Sequence, residues 1–276
     1  MSSKNPAARR HITMVLGAVV LLTLDGCATL PSGRNWGQDA TFRPGWQRVR
    51  EASSDAATNP RVWVPLIGAA LFQIDGWDRK TSDWARDHTP VFGSQQSAAR
   101  WSDDLDTASQ LAYLTTVVAT PGGESAGDWF RAKAKGLGVG LGAIAATAAA
   151  TGALKAVAGR ERPNGQSNES FPSGHASHSA VLTELAARNL RSIDLNDNTR
   201  RLLDFGLDAL TVSTGWARVE AGAHFPSDTL FSVALGNFFG LLFSDAFLGL
   251  QEQPRTALTV TATAAGGVAL QWQWRF

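Results

Sequence analysis

Three short strings in the second half of this chain hold residue types that could do phosphate chemistry. Lys155 and Arg162-Pro163 come first, then Pro172-Ser173-Gly174-His175, then Arg218, His224 and Asp228. A phosphate monoester carries about two negative charges, and in transfer the charge spreads over three equatorial oxygens. Arg162 and Arg218 can each offer a planar fork to such a group, and Lys155 a compact third charge. Pro163 fixes the backbone just after Arg162. Ser173 stands where it would cap a helix, Gly174 lets the backbone come close, and a helix start aims free amides at an anion. The expected phosphate-binding set is Lys155, Arg162, Ser173, Gly174 and Arg218.

His224 has the character of an attacking group. A neutral imidazole nitrogen can take a phosphoryl group that water later releases. Asp228 lies four residues on, one helical turn away, where it could accept the other ring N–H of His224. His175 can give a proton to the departing alkoxide. The expected catalytic residues are therefore His224, His175 and Asp228. The set calls for no metal and no cofactor. Asp103, Asp104 and Asp106 lack the glycine and terminal glutamate of a calcium loop and read as a solvated turn. His178 reads as a helix surface or packing residue, and His88 has no assigned role.

Helices must position these groups. Apolar periodicity predicts them over Arg61–Ile74, Thr107–Thr120, Gly136–Leu154, His175–Leu190, Arg200–Trp216 and Pro226–Leu250. Asp83 to Asp106 is polar and reads as short helices and loops. The Gly136-x-Gly-x-Gly-x-Gly string has no preceding strand, so it is not a phosphate loop. Its Gly138 and Gly142 read as close-packing points between helices. The C-terminus changes period: Leu258 and Val260 alternate with Thr259 and Thr261, and Val268, Leu270, Trp272 and Trp274 alternate with Ala269, Gln271 and Gln273. Gly266-Gly267 between them signals a hairpin. The expected class is all-α, a bundle of about six helices with a C-terminal β-hairpin.

The N-terminus reads as a secretion signal. Lys4, Arg9 and Arg10 precede a short apolar run from Ile12 to Leu24. Leu24-Asp25-Gly26-Cys27 resembles a lipoprotein processing box, with Cys27 as the lipidation site. The expected organisation is a signal peptide over 1–26, a lipid-attached tether over 27–60, a helical domain over 61–250 and the hairpin over 251–276. Cys27 is the only cysteine, so no internal disulfide is available. Net charge is +1, which gives no field for nucleic acid. Mean hydropathy is −0.09, which favours a water-soluble bundle held near a membrane over a many-spanning one.

The strings are similar to the three-part signature of the type 2 phosphatidic acid phosphatase superfamily. That family includes lipid phosphate phosphatases, bacterial nonspecific acid phosphatases and vanadium haloperoxidases. Phe171-Pro-Ser-Gly-His-Ala and Arg218-Val-x-x-Gly-x-His-Phe-Pro-Ser-Asp resemble the bacterial lipid-phosphatase branch most closely. The resemblance spans about residues 60–250 as architecture and is specific across 155–228. Ala217 departs from it, because a serine usually precedes that arginine. The resemblance implies a metal-free phosphatase acting through a phosphohistidine on a phosphorylated lipid or other phosphate ester. It carries His224 over as nucleophile, Asp228 as its orienter and His175 as acid. The expected location is the bacterial envelope, periplasm-facing, with the outer membrane favoured because Ala28 follows the cysteine. A nonspecific acid phosphatase, a vanadium haloperoxidase and a non-catalytic envelope lipoprotein are the other readings.

Overall fold

A computed structural model describes residues 35–250 and the backbone of two strands beyond them. The expected leader over 1–26, Cys27 and the first part of the tether lie outside the described residues. So do Gly266-Gly267 and the terminal Phe276.

Eight α-helices run through the described part. They are α1 (Trp46–Thr58), α2 (Pro60–Leu71), α3 (Trp77–His88), α4 (Gln95–Ala119), α5 (Ala126–Ala158), α6 (Gly174–Leu190), α7 (Asp197–Glu220) and α8 (Pro226–Phe243). Side-chain caps begin most of them, as at Asn59, Ser94, Ser125, Ser173 and Asn196. Helix α6 is the centre of the bundle. It packs against α8, α4, α7 and α5, and it is buried almost continuously from Ala176 to Leu190. Two strands, Thr256–Ala262 and Val268–Trp274, pair antiparallel with Val260 opposite Leu270.

The count of helices exceeds the expected six by α1 and α3, which form in polar segments. Residues 35–60, within the expected tether, carry regular structure. Trp46–Thr58 is helical, and Trp36 is fully buried, its indole N–H donating to Asn189 Oδ1 at 2.9 Å. The acidic stretch 103–106 is not a turn either but lies within the long helix α4.

Glycines let the helices of this bundle approach closely. A Cβ at Gly136 would lie 2.1 Å from the Trp36 ring, and one at Gly140 only 1.8 Å from the Tyr113 hydroxyl. Gly138 and Gly142 are looser, 3.0 Å from Phe42 and Phe243 by the same measure. Helix α5, and α8 continued to Leu248, are long and apolar enough to cross a membrane by length and composition. Only 28% of the apolar stretch of α5 is buried, whereas more than half of that in α8 is.

Candidate active site

The site lies where the end of α5, the 159–173 loop, the start of α6, the end of α7 and the start of α8 meet. Lys155 is in the last turn of α5. Its Nζ donates to the Glu169 carbonyl at 2.6 Å, tying the helix to the loop. The loop folds on itself through Arg162 N to Ser167 O at 2.9 Å and joins the α7–α8 turn through Asn164 N to Gly222 O at 3.0 Å. Arg86 of α3 donates to the Pro163 carbonyl. The Phe171–Pro172 peptide is cis.

Ser173 caps α6 as expected, accepting from Ala176 N at 3.4 Å. Its own amide is given to Ser232 Oγ of α8 at 2.6 Å. The amides of Gly174 and His175 are first-turn donors without an acceptor inside the helix. A Cβ on Gly174 would meet nothing within 4 Å.

Arg218 enters from the last turn of α7, its Nη1 donating to Ser102 Oγ at 3.1 Å. The Nε groups of Arg162 and Arg218 are buried and without a hydrogen-bond partner among the described residues. The two guanidiniums act on each other: burial first, then Arg162, lowers the Arg218 pKa. Burial and then Arg162 also lower that of Lys155. Three cations thus share one corner, with Glu169 and Asp228 acting on Lys155 and Asp103 on Arg218.

His224 is 2% exposed, in the segment just before α8. Burial, then the field of Arg218, hold its pKa well below the usual histidine value, with Lys155 and Arg162 adding to the effect. The ring is therefore neutral at ordinary pH. Its Nδ1 lies 2.5 Å from the Ser170 carbonyl. A carbonyl only accepts, so Nδ1 carries the proton and Nε2 keeps a lone pair.

This corrects the expected His224–Asp228 pair. Asp228 is the third residue of α8 and turns back to its own helix start, accepting from Phe225 N at 2.9 Å. Its remaining capacity goes to Ser170 Oγ at 2.5 Å and Arg160 Nη1 at 2.6 Å. Asp228 reaches His224 only through Ser170. Burial raises its pKa, against the pull of Ser170 and Arg160.

His175 is at the edge of the site, its side chain 35% exposed. Its Nε2 meets Asp103 Oδ1 of α4 at 2.9 Å. Burial and Arg218 lower its pKa, and Asp103 and Asp106 pull it back. One turn on, His178 Nδ1 meets Asp106 Oδ1 at 2.8 Å.

The residues that sequence reasoning missed are Ser102, Asp103, Arg160, Ser170 and Asp78. A signal existed for Asp103. His175 and His178 are spaced as Asp103 and Asp106 are, which suits two facing helices. Beside the cations, α5 and α6 part to leave a groove of about 310 Å³, lined by Ile144, Ala148, Gly152, Lys155, Gly174 and Ser177 among others.

Neither the curated proteins nor the solved structures contain a match to this chain. The family model of the PAP2 superfamily matches residues 137–250, a span that includes Lys155, Arg162, Ser173, Gly174, His175, Arg218, His224 and Asp228. The match thus covers the part of the chain that carries the cationic corner.

Proposed function

We propose that this protein is a phosphatase that hydrolyses a phosphate monoester or diphosphate carried on an apolar chain, through a phosphohistidine. The PAP2 superfamily supports phosphatase or haloperoxidase-type activity in general. The observation that carries the specific reading is the state of His224. It is buried, neutral and held at Nδ1, beside three cations.

In this reading Arg162, Arg218 and Lys155 hold the phosphoryl oxygens, with the amides at the start of α6. His224 Nε2 attacks phosphorus, and the bond from phosphorus to the leaving oxygen breaks. His175 gives that oxygen its proton. Asp103, with Asp106 behind it, supports the charged form of His175 against burial and Arg218. Water then attacks the phosphohistidine, His175 takes the proton from water, and the N–P bond breaks to release phosphate. Preorganised cations answer the charge of both transition states.

The groove ending at Lys155 supports an apolar leaving group, because an anion site and a mostly apolar channel adjoin there. The little-buried apolar stretch of α5 and the exposed Trp63, Ile67 and Leu71 of α2 support contact with a membrane surface. Lipid attachment at Cys27 would hold the enzyme there, facing the periplasm. The paired C-terminal strands would form a flap on the helical core.

A phosphate-release screen over short soluble esters and micellar lipid phosphates tests the proposal. Wild type should release phosphate from both with chelator present, and vanadate should inhibit. His224→Ala should abolish release; full activity in that variant refutes the assignment. Halide oxidation with added vanadate and peroxide would move the reading to a haloperoxidase.

A further inference from the structure

Asp78 lies far outside the matched segment, on α3, and is 5% exposed. Its Oδ1 accepts from Ser227 N at 2.8 Å, and its Oδ2 from Ser227 Oγ at 2.5 Å and Arg160 Nη2 at 2.7 Å. Arg160 is two residues before Arg162, yet it does not join the cationic corner. It turns the other way. Nη1 donates to Asp228 Oδ1 at 2.6 Å and to Ser227 Oγ at 3.0 Å, and the guanidinium lies 4.1 Å over the Phe225 ring. Ser170 closes the circuit: its amide donates to the Arg160 carbonyl at 2.8 Å, its hydroxyl to Asp228, and its carbonyl accepts from His224 Nδ1.

We propose that Arg160 and Asp78 are positioning residues for His224, holding Asp228 and the Ser170 peptide so that the imidazole keeps its proton on Nδ1 and presents Nε2. This rests on the reading of His224 as the nucleophile. Two fully or nearly buried carboxylates share one guanidinium. Removing one member leaves a buried charge uncompensated, which is costly. Without Arg160, Asp228 faces Asp78 and holds its proton to higher pH. A protonated Asp228 no longer needs the Ser170 hydroxyl as donor, and the Ser170 carbonyl is freed to shift. Without the Asp78 charge, Asp228 ionises more readily. The two substitutions therefore move the same equilibrium in opposite directions.

The charged groups bearing on this circuit are few. Asp78 from α3, Arg160 from the loop and Lys155 from α5 act on Asp228, together with the Ser170 hydroxyl and the Phe225 amide. Arg218 from α7, Lys155 from α5 and Arg162 from the loop act on His224.

The test uses the full chain and p-nitrophenyl phosphate, with kcat and KM measured across pH for Arg160→Gln, Arg160→Lys and Asp78→Asn. Arg160→Gln should lower kcat by about tenfold to a hundredfold. KM should change less than about threefold, since the three phosphate-holding cations remain. Its acid limb should move to higher pH, that of Asp78→Asn to lower pH, and Arg160→Lys should recover part of kcat. A general loss of packing would not give opposite shifts. Nitrogen NMR of labelled histidine should show the His224 proton leaving Nδ1 in a fraction of the Arg160→Gln molecules. If Arg160→Gln does not fold, the shift in Asp78→Asn decides. Unmoved acid limbs, or a raised KM with kcat retained, overturn the proposal. An active His224→Ala enzyme would instead overturn the function on which it rests.

Discussion

Gly152 offers the sharpest test of the apolar groove. It sits inside α5, where glycine is about 1 kcal/mol worse than alanine, and a Cβ there would meet nothing within 4 Å. Packing therefore gives no reason for glycine at this position, unlike Gly136 or Gly140. Gly152→Ala should raise stability by about 1 kcal/mol, or on the order of 2–4 °C in melting temperature. Gly152→Trp should fill the groove next to Lys155. If it excludes about four methylenes of a bound chain, at about 0.8 kcal/mol each, the loss is about 3 kcal/mol. That is on the order of a hundredfold in kcat/KM for a long-chain phosphate. A short ester never enters the groove and should be hydrolysed within about threefold of the wild-type rate. The assay is phosphate release from a series of alkyl phosphates of rising chain length. The wild-type rise in kcat/KM with chain length should flatten in Gly152→Trp. An unchanged chain-length profile, or an equal loss on short and long esters, would refute the reasoning.

Two further outcomes follow from the charges. His224 is neutral in the folded state well below the usual histidine pKa, whereas the unfolded chain takes up a proton near pH 6.5. Stability should therefore fall as pH drops below about 6.5, because the unfolded state binds the extra proton. Urea unfolding at pH 5 and pH 7 should show a smaller difference in His224→Gln than in wild type. Lys133 is buried and donates to the carbonyls of Val117 (2.7 Å) and Thr120 at the end of α4, with the Trp36 ring 4.9 Å away. Lys133→Met leaves the Thr120 carbonyl without this donor, while Val117 keeps the Thr120 hydroxyl, and should cost about 1–3 kcal/mol in urea unfolding.

Local signals were the legible ones. The Ser173 cap and the central helix after it could be read from adjacent residues, and so could the three cations, whose chemistry shows in their type. Partner choice could not. His224 and Asp228 have the spacing of a pair. Asp228, however, is the third residue of a helix with an unmet amide at Phe225, and that nearer donor claims one oxygen. Arg160, beside Glu161 in a polar loop, looks like a solvated residue until α3 brings Asp78 against it from a distant part of the chain. Residues 35–60 misled through composition. Their composition reads as a tether, while Trp36 fills the space left at Gly136, Ala52 and Ala56 are buried, and Arg48 donates to the Asp245 carbonyl. Such shape matching has no sequence periodicity.

The site's geometry depends on how closely α6 and α8 meet, because their starts carry the two histidines and the anion-facing amides. Ser173, Gly174 and His175 begin α6, and His224 and Asp228 flank the start of α8. Two glycines set the separation. A Cβ at Gly236 would lie 2.4 Å from the Ser177 carbonyl oxygen, and one at Gly240 would lie 2.8 Å from the Glu184 Cβ. The backbones are therefore in contact along about one turn. The Ser173 amide, bonded to Ser232 Oγ, fixes the register nearer the site. Farther along, Glu184 is fully buried and meets Arg61 at 3.3 Å and Arg188 at 3.5 Å, and Arg188 reaches Asp245 at 2.8 Å. Buried ion pairs add little net stability but penalise any other alignment, since a shift would strand a charge. Glycine contact fixes how near the two helix starts lie, and the charge network fixes how far each may slide. Together they explain how a bundle of modest apolarity can hold an imidazole in register with an anion site built from four other segments.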